Sequence, residues 1–312
     1  MKTNFNFSGS EPRSVGAKST RLGPRSSAWS MWFPLIALLL PALVWKDTVT
    51  PRASMWLLSL AIFFGCKWLT WRQQKLPGTF SRRDAAYLFG WPGLDAKSFL
   101  DPNSKVCKPR LISWISALVN TLFGAALLWG LARTVPASQP ILRGWIGLFG
   151  LIFVLHFGTF HLLALAWQRL GINARPLMQT PIVATSLADF WGRRWNSAFN
   201  RLAHDVLARP LYRRIGITRT TLIVFLVSGI IHDIVISVPA SAGYGLPTLY
   251  FLLQGVGVLF ERSKAGQGMG LRKGTGGWLF TLIVAAGPAF WLFHTAFIMR
   301  VIIPFMQTIH AI

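Results

Sequence analysis

Carboxylates are scarce in this chain: nine Asp and Glu stand against 32 Lys and Arg in 312 residues, a formal net charge of +23 at pH 7. Charged residues of both signs reach only 13%, about half the share usual in soluble globular proteins. That excludes a water-soluble domain with an ordinary charged surface. Cysteine is limited to Cys66 and Cys107. With no CxxC and no Cys/His spacing suited to a metal, neither a disulfide framework nor a zinc site is indicated; no metal and no permanently bound cofactor is expected. There is no GxxxxGK(S/T) loop, no HExxH helix and no serine or cysteine in a nucleophile elbow, and no internal repeat.

What is abundant is apolar. Hydrophobic residues make up 53% of the chain and mean hydropathy is +0.46. The chain therefore reads as an all-α polytopic membrane protein of about seven to nine transmembrane helices. Seven spans can be bounded, at 31–45, 53–71, 111–131, 144–167, 218–238, 246–260 and 277–299; the first and sixth are short enough to be re-entrant or interfacial. Fifteen Trp suit anchoring at the headgroup level. The basic residues lie in the loops between spans, which is where membrane topology puts them, so a nucleic-acid partner is rejected and membrane lipids are the expected surroundings. Lys and Arg number five in residues 1–30, two in 46–52, eight in 72–110, two in 133–143, nine from 168 to Arg219, none in 239–245, four in 261–276 and one, Arg300, beyond. The alternation places the N-terminus and the 72–110 and 168–219 loops in the cytoplasm and the C-terminus outside. Residues 1–30, with Glu11 as their one acid, read as a disordered basic tail ahead of a single transmembrane domain over 31–312.

Two segments can carry chemistry. In 220–238, TTLIVFLVSGIIHDIVISV, His232 is an ionisable group in a stretch long enough to cross a bilayer, and such a group is a functional-site hypothesis by default. The structural alternative is a histidine bonded across to a neighbouring helix. Asp233 points about 100° away from it on a helix, so a direct pair is not expected. The second segment is DFWGRRWN, Asp189 to Asn196. Ser186 with Asp189 reads as a capping box opening a helix at Leu187, on which Asp189 and Arg193 are paired at i,i+4. Trp191 and Trp195 offer aromatic surface, Arg193 and Arg194 forked donors for phosphate, and Asn196 an amide donor and acceptor. The alternative is a basic amphipathic helix on the inner leaflet. His156 and His161, five apart, are poorly placed for one metal, although His161 is a candidate to face the same cavity as His232.

TSLADFWGRRWN, followed about 36 residues later by the histidine of SGIIHDI, resembles the wax synthase branch of the membrane-bound O-acyltransferases. PLMQTPIVATSLADF and WPGLDAKSF (91–99) look like it too, and the resemblance covers most of residues 85–260. It implies a helical bundle with a central tunnel and transfer of an acyl group from acyl-CoA, as cosubstrate, to the hydroxyl of a hydrophobic alcohol. The family histidine maps to His232 and its Asn/His position to Asn196. Asp233 stands where many relatives have Glu.

The residues are chemically suited to that reaction. A neutral imidazole takes a proton from an attacking alcohol, and an amide such as that of Asn196 supplies or positions a hydrogen bond to the tetrahedral intermediate. Acyl-CoA would then meet Asp189, Trp191, Arg193, Arg194 and Trp195. Wax-ester or sterol-ester synthesis is one reading, and acetyl transfer to a terpenoid, polyketide or envelope-glycan hydroxyl is another. The non-enzyme reading is a transporter or lipid-binding protein with His232 as a proton relay. The bilayer would be a bacterial inner membrane or the endoplasmic reticulum.

Overall fold

The computed structural model describes residues 28–74 and 80–312, with side chains from Trp32 onward. The basic tail read at 1–30 lies outside the described residues apart from its last three. Among the described residues every regular element is helical. In chain order the main elements are α1 (Ala28–Val44), α2 (Pro51–Gln74), α3 (Arg82–Gly90), α4 (Leu111–Thr134), α5 (Pro140–Arg169), α6 (Ser197–Ala240), α7 (Leu246–Arg262), α8 (Gly274–Leu292) and α9 (Thr295–Thr308). Of these, α2, α4, α5, α6 and α8 are long and apolar enough to cross a membrane; α9 and the Trp32–Val44 part of α1 are shorter apolar helices. In α4 the side chains of Leu111, Ile112, Val119 and Leu122 face outward and are exposed. A face of that kind is a liability in water and is what a bilayer solvates. The protein is an integral membrane protein.

The helices meet through glycine. Gly144, Gly147 and Gly150 recur every three residues on α5. A Cβ at Gly147 would stand 2.1 Å from the Met306 Sδ of α9, and one at Gly124 in α4 would stand 2.6 Å from the Val154 backbone nitrogen. Lipid offers no hydrophobic push between helices, so close van der Waals approach over small residues is what binds them.

α6 departs from the sequence reading. Forty-four residues in a straight helix would measure about 66 Å, roughly twice a hydrocarbon core of about 30 Å. The helix breaks at Gly216, at φ 76° and ψ 173°, a conformation that only glycine adopts without strain. Beyond the break, Ile217 to Ala240 matches the span expected at 218–238. Before it, residues 197–215, expected within a loop, are helical and carry Arg209 and Arg213.

The last expected span, 277–299, is also corrected. Pro288 interrupts α8, and the helix ends at Leu292. The His294 Nδ1 then accepts the Phe297 N–H at 3.3 Å and starts α9 anew. The middle of α9 and the residues after it are tied to one end of the bundle. Arg300 donates to the Ala240 carbonyl at 2.8 Å. After α9, the Ile309 carbonyl accepts from Trp129 Nε1 at 3.2 Å and the Ala311 carbonyl from Arg133 Nε at 3.1 Å. The loops at 133–143 and 239–245 and the C-terminal residues therefore share an end. At the other end, Arg201 pairs with Asp95 and Trp278 Nε1 donates to the Ile182 carbonyl at 2.7 Å, joining the 72–110 and 168–219 regions to the start of α8.

WPGLDAKSF knits that second end together. The Gly93 carbonyl accepts from the fully buried Lys67 Nζ at 2.5 Å, and the same ammonium sits 3.5 Å from the centroid of the Tyr87 ring. Burial pushes the Tyr87 phenol above its ordinary range, so it stays protonated. It donates to Thr70, 2.7 Å away, whose own proton is directed to the Cys66 and Lys67 carbonyls.

Candidate active site

The DFWGRRWN helix opens where the sequence places it. Ser186 Oγ accepts the Asp189 N–H at 3.0 Å. Glu261 of α7, fully buried, accepts the N–H groups of Leu187 at 2.7 Å and Ala188 at 3.0 Å. First-turn amides have no partner within their own helix, so these three bonds anchor the segment. After one ordinary turn, Leu187–Asp189, the backbone widens into a π-turn over Phe190–Arg194, closed by the Trp195 N–H on the Phe190 carbonyl at 2.8 Å. Asn196 follows in the left-handed region, at φ 43°, where asparagine is enriched. Its Oδ1 accepts the Phe199 N–H at 3.3 Å and caps α6.

The π-turn sorts the cluster into two sets. The buried Asp189 carboxylate accepts from Arg193 Nε at 2.8 Å and Arg194 Nε at 2.5 Å. Arg194 also reaches the carbonyls of Gln179 and Thr180 at 3.2 and 3.3 Å. The expected i,i+4 pair is present, with a second arginine added, and none of these three residues belongs to the wall of the cavity beside the segment. Trp191, Trp195 and Asn196 do: they face a cavity of about 580 Å³ bounded by α6, α7 and this segment.

His232 lines the same cavity. Its Nδ1 lies 2.7 Å from the Ser228 carbonyl. A carbonyl only accepts, so Nδ1 carries the proton in the neutral ring and Nε2 is left as an acceptor. The imidazole packs on Phe251 at a centroid distance of 4.3 Å, and Phe251 meets Trp191 at 5.4 Å. Asn196 Nδ2 has no protein hydrogen-bond partner among the described residues, so it is available to an oxygen within the cavity.

Asp233 does not pair with His232. Its Oδ1 accepts from Ser237 Oγ at 2.8 Å and the Gly245 N–H at 2.9 Å; its Oδ2 accepts the Thr248 N–H at 3.1 Å and the Thr248 hydroxyl. It braces the turn into α7. His294 is buried behind it, 3.4 Å from Ser237 Oγ. His161 is not in the cavity wall. Among the described residues no group of three or more His, Cys, Asp and Glu is placed to hold a metal.

Three contributors were not singled out in the sequence. Gln254 accepts from Trp191 Nε1 at 3.2 Å and donates to the Val284 carbonyl at 2.8 Å. Glu261 is its neighbour two turns on. Polar residues seven apart in an apolar helix share a face, and that spacing was the available signal. The third, Asn200, lines the cavity and donates to the Trp191 carbonyl at 2.6 Å.

Residues 174–253, which include Asn196, His232 and Phe251, match the model of the membrane-bound O-acyl transferase family. This segment is similar to that family. Curated relatives point the same way. A probable long-chain-alcohol O-fatty-acyltransferase 7 of Arabidopsis thaliana is 30% identical over 140 residues, 40% of each chain. A long-chain-alcohol O-fatty-acyltransferase of Simmondsia chinensis is 31% identical over 140 residues, 37% of this chain and 40% of the relative. A probable long-chain-alcohol O-fatty-acyltransferase 8 of Arabidopsis thaliana is 29% identical over 176 residues, 52% of this chain and 50% of the relative. The chain thus spans about two fifths to one half of the length of these relatives. The matched segment holds the π-turn, the left-handed Asn196 and the cavity-facing part of α6 in one stretch.

Proposed function

We propose that this chain is a membrane-embedded acyltransferase that moves an acyl group from acyl-CoA to the hydroxyl of a lipid-like alcohol, making an ester of the wax or sterol type. The observation that carries the reading is that Asn196 and His232, 36 residues apart in sequence, line one cavity, with His232 Nε2 left as an acceptor by the Ser228 bond.

In the reaction, His232 Nε2 takes the proton of the alcohol as its oxygen attacks the thioester carbonyl. The C–O bond forms, and the tetrahedral oxyanion accepts from Asn196 Nδ2. Collapse breaks the C–S bond, and the CoA thiolate leaves with the proton that His232 gained. The Ser228 carbonyl fixes the ring tautomer throughout. Trp191, Trp195, Phe225 and Phe251 surround the cavity with aromatic surface, which favours a long acyl chain over acetyl. Arg193 and Arg194 act by holding Asp189 and hence the shape of the π-turn. The orientation proposed is that of the charge count, with the Asp95–Arg201 end in the cytoplasm, in a bacterial inner membrane or the endoplasmic reticulum.

The test is ester formation by the purified chain from a series of acyl-CoAs and alcohols, monitored by mass spectrometry. Long-chain esters, lost on His232→Ala, support the reading. Acetyl transfer alone redirects it to an O-acetyltransferase, and no acyl transfer from any CoA thioester overturns it.

A further inference from the structure

Both segments of α6 contribute to the cavity wall. Arg213, Ile217, Thr220, Val224, Ser228 and His232 all belong to the wall; beyond the Gly216 break, the three- or four-residue spacing from Ile217 to His232 is that of a single helical stripe. From Ile217 to His232 the stripe runs about 22 Å at 1.5 Å per residue. Its polarity alternates. Arg213 stands before the break, and Ile217, Thr220, Val224 and Phe225 follow it in order. Ser228 lies one turn before the imidazole, which ends the stripe. The hydroxyls of Thr220 and Ser228 are turned back to the carbonyls of Gly216 and Val224 at 2.7 and 2.9 Å.

The mouth has a composition of its own. Arg209 and Arg213 are four residues apart on the helical stretch before the Gly216 break, both exposed, with Tyr212 half-exposed at 50% between them. Neither arginine has an acidic partner among the described residues. The described cavity wall contains no Asp or Glu at all, whereas Arg193 and Arg194 are both held by Asp189. Two unpaired forked guanidinium groups recognise phosphate, and an aromatic ring between them offers a stacking surface to a nucleobase.

We infer that Arg209, Tyr212 and Arg213 form the seat for a phosphorylated adenosine, the nucleotide end of a CoA thioester, and that the α6 stripe guides the thioester arm to His232. This rests on the acyltransferase reading and adds to it where the donor enters and which residues grip it. The arginines hold phosphate oxygens, and the Tyr212 ring stacks on the base. The Gly216 break lets the three side chains turn over the cavity mouth, out of line with the membrane-spanning part of the helix. The shared chemistry is phosphate recognition, so an anionic lipid headgroup is the competing occupant.

The experiment uses the full chain in nanodiscs of neutral phosphatidylcholine, repeated with anionic lipid added. It measures kcat and KM for a long-chain acyl-CoA, its 3′-dephospho analogue and the corresponding acyl-pantetheine, and binding of CoA itself by equilibrium dialysis. Loss of one charge-assisted phosphate contact is worth about tenfold or more in affinity. The expected result is that Arg209→Ala with Arg213→Ala raises KM for acyl-CoA at least that much with kcat little changed. Acyl-pantetheine should be unaffected, and the dephospho analogue should show a smaller penalty. Lys at both positions should restore part of the loss, and Tyr212→Ala should raise KM while Tyr212→Phe does not. Arg214→Ala, the adjacent arginine outside the cavity wall, should match wild type. Unchanged KM in the double variant, with transfer intact, overturns the seat and leaves the acyltransferase reading standing. A KM effect seen only with anionic lipid assigns the arginines to headgroups and also overturns it. If wild type transfers nothing, CoA binding decides: binding lost in the double variant sustains the seat without the reaction, and no CoA binding to wild type ends both.

Discussion

Glu261 holds Leu187. The buried carboxylate on α7 accepts the Leu187 N–H at 2.7 Å and the next amide at 3.0 Å, and two turns earlier on the same face Gln254 accepts from Trp191. Two polar groups on an otherwise apolar helix thus fix the start and the middle of the segment that carries Asn196. The stretch that carries Asn196 is positioned by α7 more than by its own short helix, since a single turn does not sustain itself.

Glu261→Ala should therefore lower both stability and turnover. Each buried amide left without an acceptor costs about 1–3 kcal/mol. Glu261→Gln keeps one acceptor and should fall between. A thermal melt of the detergent-solubilised protein together with kcat per folded molecule reads both quantities. An Ala variant with wild-type melting and turnover would remove Glu261 from the account.

Asp233 and His232 should separate in their effects. Asp233 accepts from Ser237, Gly245 and Thr248 and does not touch the imidazole. Asp233→Ala should depress folded yield and melting temperature while the surviving protein keeps most of its turnover. A turnover loss at normal stability would instead put Asp233 in the chemistry.

Helix contact gives a third expectation. A Cβ at Gly229 would stand 2.6 Å from the Thr248 Cα, a backbone atom that cannot swing aside. Gly229→Ala must push α6 away from α7, at an overpacking cost of about 1–3 kcal/mol. Because Gly229 is one turn before His232, the shift should reach the His232–Phe251 contact as well. Equal melting temperatures for the variant and wild type would show that the two helices are looser than this geometry.

How much of this was legible beforehand follows from the kind of signal each feature leaves. The Ser186 cap and the Asp189–Arg193 pair are local, so spacing along the chain revealed them. His232 stood out because an ionisable group is costly in an apolar span. The partition of DFWGRRWN was not legible: an α-helical wheel does not anticipate the π-turn, whose extra residue changes which side chains face the cavity, and this is why the arginines part from Trp191 and Asn196. Nor was the extension of α6 back to Ser197, since a glycine break within a helix reads the same as a loop boundary. The split of the last span is a matter of His294 acting as a cap, which its apolar neighbours conceal.

Sidedness can be read with the native thiols. Cys107 is exposed and Cys66 buried. Under the proposed orientation, Cys107 should react with an impermeant maleimide only from the cytoplasmic face, and a cysteine replacing the exposed Tyr244 in a Cys107→Ser background only from the opposite one. The reverse pattern would invert the topology and place the Arg209–Arg213 mouth away from cytoplasmic CoA.

The decisive variants are those of the cavity. As the general base, His232 should contribute about 10²–10⁴-fold to the rate. His232→Ala should remove most ester formation from a protein that still folds, because the ring's hydrogen bond among the described residues is the one to Ser228, beside its packing on Phe251. Asn196→Ala should cost about 10²–10³-fold if Nδ2 meets the oxyanion. That change also deletes a cap and a residue suited to φ 43°, so Asn196→Gly, which tolerates the backbone while losing the amide, separates the two roles. Equal losses for Ala and Gly at normal stability assign the effect to the amide, whereas recovery with Gly assigns it to the backbone. The double variant with His232→Ala should lose less than the product of the single losses, since both groups act on one step. Full multiplicativity would mean that Asn196 and His232 serve different steps, and near-normal transfer by folded His232→Ala would end its role as the base.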